Sequence, residues 1–331
     1  MQMPSIKDVA KHAGVAISTV SKVLNHYPNI SEETKKKVNQ AIEELGFVPN
    51  SIAAALSSKQ SGRIALLMNL TTQTQAIDEI GMQYMSGAIW QAEKLKMDLI
   101  TVFFSMIRDK SGQELKTYFK SQNIEGIIVY GLSKDDAVLH ELIASMTFKI
   151  VVIDAPIVNH TTSCVWIDHK QAQYDIARKT ILENHAKRVL YIAGKRNGYV
   201  TDERIAGMKK LAEDLELTLL IREGLFSELE ARKLTFQYGA HKDVVVCASD
   251  LMAIGAMNAL TEMDIFRPVC GFDGITLMGY VGKQMNTVRQ NFFNISAESV
   301  NELRALLGGS VGRECKLGYE MVRMQYLDII C

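Results

Sequence analysis

The sequence predicts an α/β protein in which a small helix-turn-helix head precedes two Rossmann-like subdomains, each a doubly wound parallel sheet. Three observations predict it. Three short amphipathic segments with helix-stopping glycines fill the first fifty residues. A segment containing Pro49 and an Ala run then breaks that pattern. Beyond Arg63, short apolar runs alternate with helical stretches, as βαβ units require. At 331 residues the chain has room for two or three compact units.

In the head, Ser5 followed by Asp8 resembles a capping box, and Ile6, Val9 and Ala10 form the apolar stripe of a first helix that Gly14 ends. A second helix starts near Ile17. Val20, Val23 and Leu24 share its inner face, while Ser18, Lys22 and Asn25 recur at i, i+4 and i+7 on an outer one. Ile17 is ambiguous, because its spacing to Val20 and Leu24 sets it at the edge of the core. Ser31 caps a third helix, Val38, Ala41, Ile42 and Leu45 face inward, and Gly46 stops it. Two short helices around a glycine turn, closed by a third, make either a DNA-reading motif or a bundle that only packs. Residues 1–61 hold seven lysines against five acids, a mild excess in a chain whose 37 basic and 37 acidic residues balance. The excess permits DNA binding without arguing for it.

The segment "VPNSIAAALSSKQSG" favours helix after Asn50 but is too short to hold one alone in water. It should order only with a partner. The strand-like runs that follow are "IALLMNL", "DLITVFF", "GIIVYG" and "KIVVID", then "VLYIAG", "TLLIREG", "VVVCAS" and "PVCGFD". Two sets imply two sheets, with a ligand cleft at the C-terminal ends of the strands. Polar residues appear there: Asn69, Asp154, Ser249, Asp250 and Asp273, with Arg204 at a helix start. Carboxylates that accept hydroxyls beside a guanidinium that donates suit a polyhydroxylated ligand. For Asp250 helix capping competes evenly with contact, and Asp168 reads as a cap.

The blocks "SIKDVAKHAGVAISTVSKVLN" and "SEETKKKVNQAIEELGFVPN" resemble the N-terminal domain of the lactose and galactose repressor (LacI/GalR) family. "YIAG", "DERIAG", "ASDLMAIGAMNAL", "GFDGI" and "MNTVRQ" extend the resemblance to that family's effector domain, which is similar to periplasmic sugar-binding proteins. The resemblance implies a transcriptional regulator, read as a repressor, on a near-palindromic double-stranded DNA operator. It implies base contacts from Ile17, Ser18, Lys22 and Asn29, and phosphate contacts from Thr19, Ser21 and Asn25, with Ser5 and Asn50 completing the DNA-binding set. In the hinge it implies a Leu56 wedge in the minor groove with Ala53 near its floor. Two residues depart from the pattern: Ala16 replaces the usual capping Ser, and Lys22 the usual Arg, exchanging a fork for a point donor.

For the effector, the resemblance implies a cleft lined by Asn69, Asp154, Arg204, Ser249 and Asp273, with Trp166, Phe226 and Phe292 as walls. A carbohydrate, free or phosphorylated, is the first expectation, with a nucleobase or nucleoside as the alternative. A phosphocarrier protein is a further alternative, but Asn294 and Asn301 stand where the relatives controlled that way carry Asp and Arg. The expected boundaries are 1–48 for the head, 49–61 for the hinge and 62–331 for the effector domain. Within it, one subdomain spans about 62–157 plus 288–315, the other about 158–287 plus 316–331. No leucine heptads close the chain, so a homodimer is expected.

Other classes fit less well. "GGSVG", Gly308 to Gly312, matches a hydrolase elbow, but a helical stretch leads into it where a strand is required. The seven histidines show no metal spacing, no phosphate loop is present, and neither cofactor nor enzymatic activity is expected. Five cysteines without a CxxC pair suit reduced thiols in the cytoplasm. No secretion signal and no run of ~18 apolar residues point to a membrane.

Overall fold

The computed structural model describes residues 4–24, 27, 29–47, 63–69, 78–281 and 284–324. The chain divides into two compact units, Met1–Ser61 and Gly62–Cys331.

The smaller unit is built from local signals. Helix α1 (Ile6–Ala13) starts where the Asp8 carboxylate accepts the Ser5 N–H at 2.8 Å and the Ser5 hydroxyl at 2.7 Å. It ends at Gly14, whose φ of +63° turns the chain at a conformation that side-chain-bearing residues disfavour. Helix α2 (Ile17–Leu24) follows at once. Helix α3 (Glu32–Leu45) is capped by Ser31, which accepts from the Thr34 N–H at 3.3 Å, and closed by Gly46. Val9, Ala10, Val20, Val23, Val38 and Ala41 form the shared core, with Ile6, Leu24, Ile42 and Leu45 packed around it.

The start of α2 is the weak point of the head. The Ala16 carbonyl accepts from the Thr19 and Val20 N–H groups, so Ala16 holds the capping position without a side-chain oxygen to offer. Ala16→Ser should add about 0.5–1 kcal/mol to the local stability of α2. Two- to fivefold slower hydrogen exchange of the α2 amides would register it; unchanged exchange would contradict the capping argument.

The larger unit holds two six-stranded sheets. The first contains β1 (Arg63–Met68), β2 (Leu99–Phe103), β3 (Ile124–Val129), β4 (Lys149–Ile153), β5 (Thr162–Ile167) and β11 (Glu314–Leu317) in the order β11-β5-β4-β3-β1-β2, all parallel. The second contains β6 (Arg188–Ala193), β7 (Thr218–Glu223), β8 (Val244–Cys247), β9 (Val269–Cys270), β10 (Met285–Arg289) and β12 (Glu320–Met324) in the order β12-β10-β9-β8-β6-β7. Only its β10–β12 pair is antiparallel. Helices α4 (Glu79–Lys94), α5 (Gly112–Ser121), α6 (Ala137–Ala144), α7 (His169–Glu183), α8 (Tyr199–Asp214), α9 (Glu228–Tyr238), α10 (Asp250–Glu262), α11 (Leu277–Tyr280) and α12 (Phe292–Leu307) connect the strands. Both faces of the first sheet are covered. Ile64, Leu66, Ile128 and Val151 pack toward α4 and α12, and the alternate residues Ala65, Leu67, Ile127 and Ile150 pack toward α5 and α6.

One boundary needs correction. Strand β5 pairs with β4 and β11, so residues 162–167 belong to the first sheet and the chain crosses over after Ile167, not at 158. The crossings back and forth follow Arg289 and Leu317, close to the expected 288 and 316. Thr162 and Ser163 are fully buried in this strand, which parallel pairing flanks on both edges. The GGSVG motif lies in the loop between α12 and β11, so a helix precedes it and a strand follows it. That inverts the strand-turn-helix context a nucleophile elbow needs. No helix among the described residues is long and apolar enough to cross a membrane.

Candidate functional site

On the head, helix α2 separates a buried side from an open one. Val20 and Val23 are buried, whereas Ser18 and Lys22 are exposed and Thr19 and Ser21 half-buried. Ile17 is 45% exposed, so its side chain faces outward with Ser18 rather than into the core. An exposed β-branched residue at the start of a helix offers an apolar surface that fits a thymine methyl. Ser5 and Asn29 are also exposed, while Asn25, Asn50, Ala53 and Leu56 lie outside the described residues. Two lysines of α3 are neutralised within their own helix, Lys35 by Glu32 at 2.6 Å and Lys37 by Glu33 at 2.8 Å. Lys22 has no ion-pair partner among the described residues. Lys22→Ala should therefore cut discrimination between a selected operator and its scrambled version by roughly tenfold, the order of one good base contact. Equal weakening on both sequences in an anisotropy titration would reassign Lys22 to the phosphates.

In the larger unit, a cavity of about 560 Å³ opens between the C-terminal ends of the two sheets. It brings together Asn69 after β1, Asp154 after β4, Arg204 on α8, Phe226 after β7, Ser249 after β8, Asp273 after β9 and Phe292 at the start of α12. Arg204 organises its floor. The guanidinium is 4% exposed, stacks on the Phe272 ring at 3.6 Å, donates to the Ala248 carbonyl and lies 3.7 Å from Asp273 Oδ1. Gln290 donates to the same Asp273 oxygen at 3.0 Å. Burial pushes the Asp273 carboxyl upward, and Arg204 opposes that shift only in part. Both of these cavity-lining carboxylates stand on positive-φ backbone, Asp154 at φ +57° and Asp273 at φ +123°.

Two expected contacts are not in the cleft. Asp250 is fully buried, and its carboxylate accepts the Gly274 N–H at 2.7 Å, the Ile275 N–H at 2.9 Å and the Thr287 hydroxyl at 2.6 Å. It ties the loop after β9 to β10. The cap of α10 is Ser249, whose hydroxyl accepts from the Met252 N–H at 3.3 Å while its residue also lines the cavity. Trp166 sits on β5, where alternation sends Val165 and Ile167 to one face and the indole to the other, against the α5 and α6 core. Asp168 caps α7, accepting from the Gln171 N–H at 2.9 Å.

Tyr84 and Tyr199 line the cavity without having been singled out in the sequence. Tyr84 stacks between Tyr130 at 4.8 Å and Phe292 at 5.2 Å, and burial holds its phenol protonated, far above the usual range. A tyrosine in a helix i+5 from Glu79 carries no local mark of such a role. The two walls touch at both lips. At one, the Lys134 N–H and Ser133 hydroxyl donate to the Asn197 carbonyl at 2.9 and 3.1 Å, and Lys134 pairs with Asp202. At the other, the Thr276 N–H and hydroxyl donate to the Glu79 carboxylate at 2.9 and 2.7 Å. A second cavity of about 580 Å³ lies beside the crossovers and shares Glu79 and Gln290 with the first.

Residues 5–50 match the family described as "Bacterial regulatory proteins, lacI family". Residues 102–267 match "Periplasmic binding proteins and sugar binding domain of LacI family". The chain is 28% identical to the HTH-type transcriptional regulator AscG of Escherichia coli over 93% of each chain. It is 27% identical to the ribose operon repressor of Halalkalibacterium halodurans, over 91% of this chain and 89% of that one. It is 26% identical to the transcriptional repressor PurR of Histophilus somni over 91% of each. The lac repressor dimer bound to operator and the anti-inducer ONPF superposes with a TM-score of 0.81 at 22% identity, covering 98% of this chain and 99% of that one. A complex of the regulator CelR with cellobiose gives 0.70 at 22% identity, covering 97% and 99%. Matched in its head and across half of its length by that family, the chain belongs to the lacI family of bacterial regulatory proteins and is a DNA-binding transcriptional regulator with a small-molecule effector domain.

Proposed function

We propose that the protein is a homodimeric repressor, acting in the cytoplasm, that reads a near-palindromic operator through Ile17, Ser18, Lys22 and Asn29. Thr19, Ser21 and Asn25 hold the phosphates, and Leu56 of the hinge wedges into the minor groove with Ala53 near its floor. The effector is a sugar, bound without catalysis between the two sheets. The observation that carries this reading is the cavity floor, where Asp154, Arg204 and Asp273 converge under the aromatic rings of Tyr84, Phe226 and Phe292. Two carboxylates and one guanidinium match the hydroxyls and ring oxygen of a sugar, and aromatic faces pack on its apolar side. Two carboxylates against one buried cation disfavour a phosphate on that floor, while Lys195 and Arg196 line the same cavity. The names of the ribose operon repressor and of the CelR–cellobiose complex agree with the sugar reading.

A purine base is the second reading, favoured by Phe226 and Tyr84 as stacking surfaces. Control by a phosphocarrier protein has less support, since Asn301 is engaged at 2.5 Å with Gln91 and at 2.9 Å with Glu298. A thermal-shift screen of D-ribose, cellobiose and free purine bases separates the readings. A ligand at ~100 times its dissociation constant stabilises the folded state by ~2.7 kcal/mol, a readable rise in melting temperature. A shift with a base and none with either sugar would overturn the sugar assignment.

A further inference from the structure

His169 opens α7 at the point where the chain leaves the first sheet for the second, and it is 3% exposed. It is not needed as a helix cap, because Asp168 fills that role. Its ring lies instead between two residues of the cleft. Nε2 is 2.8 Å from Asp154 Oδ1, and Nδ1 is 3.4 Å from Arg204 Nε and 3.3 Å from an Arg204 terminal nitrogen. A guanidinium only donates, so Nδ1 must present its lone pair. The single proton of a neutral ring is then left on Nε2, facing Asp154.

The surroundings enforce that choice. Arg204 cannot turn away, being stacked on Phe272 and bonded to the Ala248 carbonyl, and the His169 ring lies against the same Phe272 at 5.9 Å. Asp154 Oδ1 and His169 Nε2 are both buried from solvent and neither has a hydrogen-bond partner; they face each other at 2.8 Å with ring and carboxylate out of line. The 13% of the Asp154 side chain that stays exposed faces the cavity.

We propose that His169 is a positioning residue of the effector cleft, which Arg204, reaching across from the second sheet, holds as the Nε2–H tautomer so that its proton faces and fixes the Asp154 carboxylate. The proposal rests on the reading of this cavity as the effector site. It gives the link Asp154–His169–Arg204–Asp273 an order: the guanidinium donates to His169 Nδ1 and stands 3.7 Å from Asp273, the Nε2 proton is turned toward Asp154, and the other oxygen of Asp154 is presented as an acceptor. A ligand hydroxyl finds that oxygen already oriented. Asp154 and His169 follow the paired strands β4 and β5 of the first sheet, so separation of the two sheets would have to break the His169–Arg204 contact, and the residue that faces the ligand's acceptor also resists opening.

The test uses the full chain. In a long-range proton–nitrogen correlation spectrum of ¹⁵N-histidine-labelled protein at neutral pH, the His169 signal, assigned by its loss in His169→Gln, should show a bare Nδ1 and a protonated Nε2. Arg204→Met should relax that preference. An Nδ1–H ring or a doubly protonated ring in the wild type overturns the proposal. A thermal double-mutant cycle on Asp154→Asn and His169→Leu should show coupling of about fivefold or more in the unfolding equilibrium; additivity overturns it too. Where cellobiose or D-ribose binds the wild type, His169→Leu should weaken it at least tenfold, and His169→Gln, which keeps a donor toward Asp154, by less than threefold. Unweakened binding by His169→Leu counts against the positioning role. Binding of neither sugar refutes the sugar reading alone, with the tautomer and the cycle still deciding the role of His169.

Discussion

Arg204→Ala should abolish the response to effector while leaving operator binding by the head in place. Four groups depend on this guanidinium: the Ala248 carbonyl, His169 Nδ1, Asp273 Oδ1 and the face of Phe272. Removing the cation from a buried site leaves Asp273 with the Gln290 amide and the Asp250 backbone N–H, and breaking a buried charge pair costs about 3–5 kcal/mol. Effector affinity should fall by a hundredfold or more. Arg204→Lys should recover little, because an ammonium cannot stack on Phe272 and serve three acceptors from one plane. The head has its own core, so its operator affinity in an anisotropy titration should stay within a few-fold of the wild type. A normal effector response in that titration would remove Arg204 from the site.

Asp250→Ala should act on stability instead. The substitution strands two backbone N–H groups and one hydroxyl in a fully buried position, each costing about 1–3 kcal/mol. The neighbouring chain is shaped around this carboxylate: a Cβ on Gly271 would lie 2.1 Å from Asp250 Oδ1. A loss of roughly 3–5 kcal/mol lowers the melting temperature of a unit this size by about 10 °C. Calorimetry of the full chain checks it, and a fall of only a degree or two would return Asp250 to the list of ligand contacts.

These two residues show where sequence patterns suffice and where they stop. The head was legible because its signals are local: Ser5 with Asp8, Gly14, Ser31 and Gly46 act within four residues of themselves. The cleft's strand-end residues were legible because a parallel sheet places its loops on one edge, whichever residues fill them. Asp250 was not, since Ser249 and Asp250 can both cap a helix, and the three donors that decide the matter lie 24 to 37 residues away. Trp166 failed for a related reason. Its face is set by the register of β5 against β4 and β11, and β11 comes 150 residues later at Glu314. Tyr84 and His169 gave no signal, because their partners Phe292 and Arg204 are brought to them only by the crossovers.

The positive-φ backbone at Asp154 and Asp273 sets evolution and engineering against each other at this cleft. Each residue holds a conformation that glycine adopts freely and that costs a side-chain-bearing residue about 1 kcal/mol or more. Glycine at Asp154 would relax its turn, whereas at Asp273 it would also leave the buried Arg204 guanidinium without its carboxylate, so heat selection alone would favour loss of the Asp154 carboxylate and drift toward an unresponsive protein. Thermostable variants of this regulator should therefore be enriched in molecules that no longer hear their signal, unless the selection demands a response in every round.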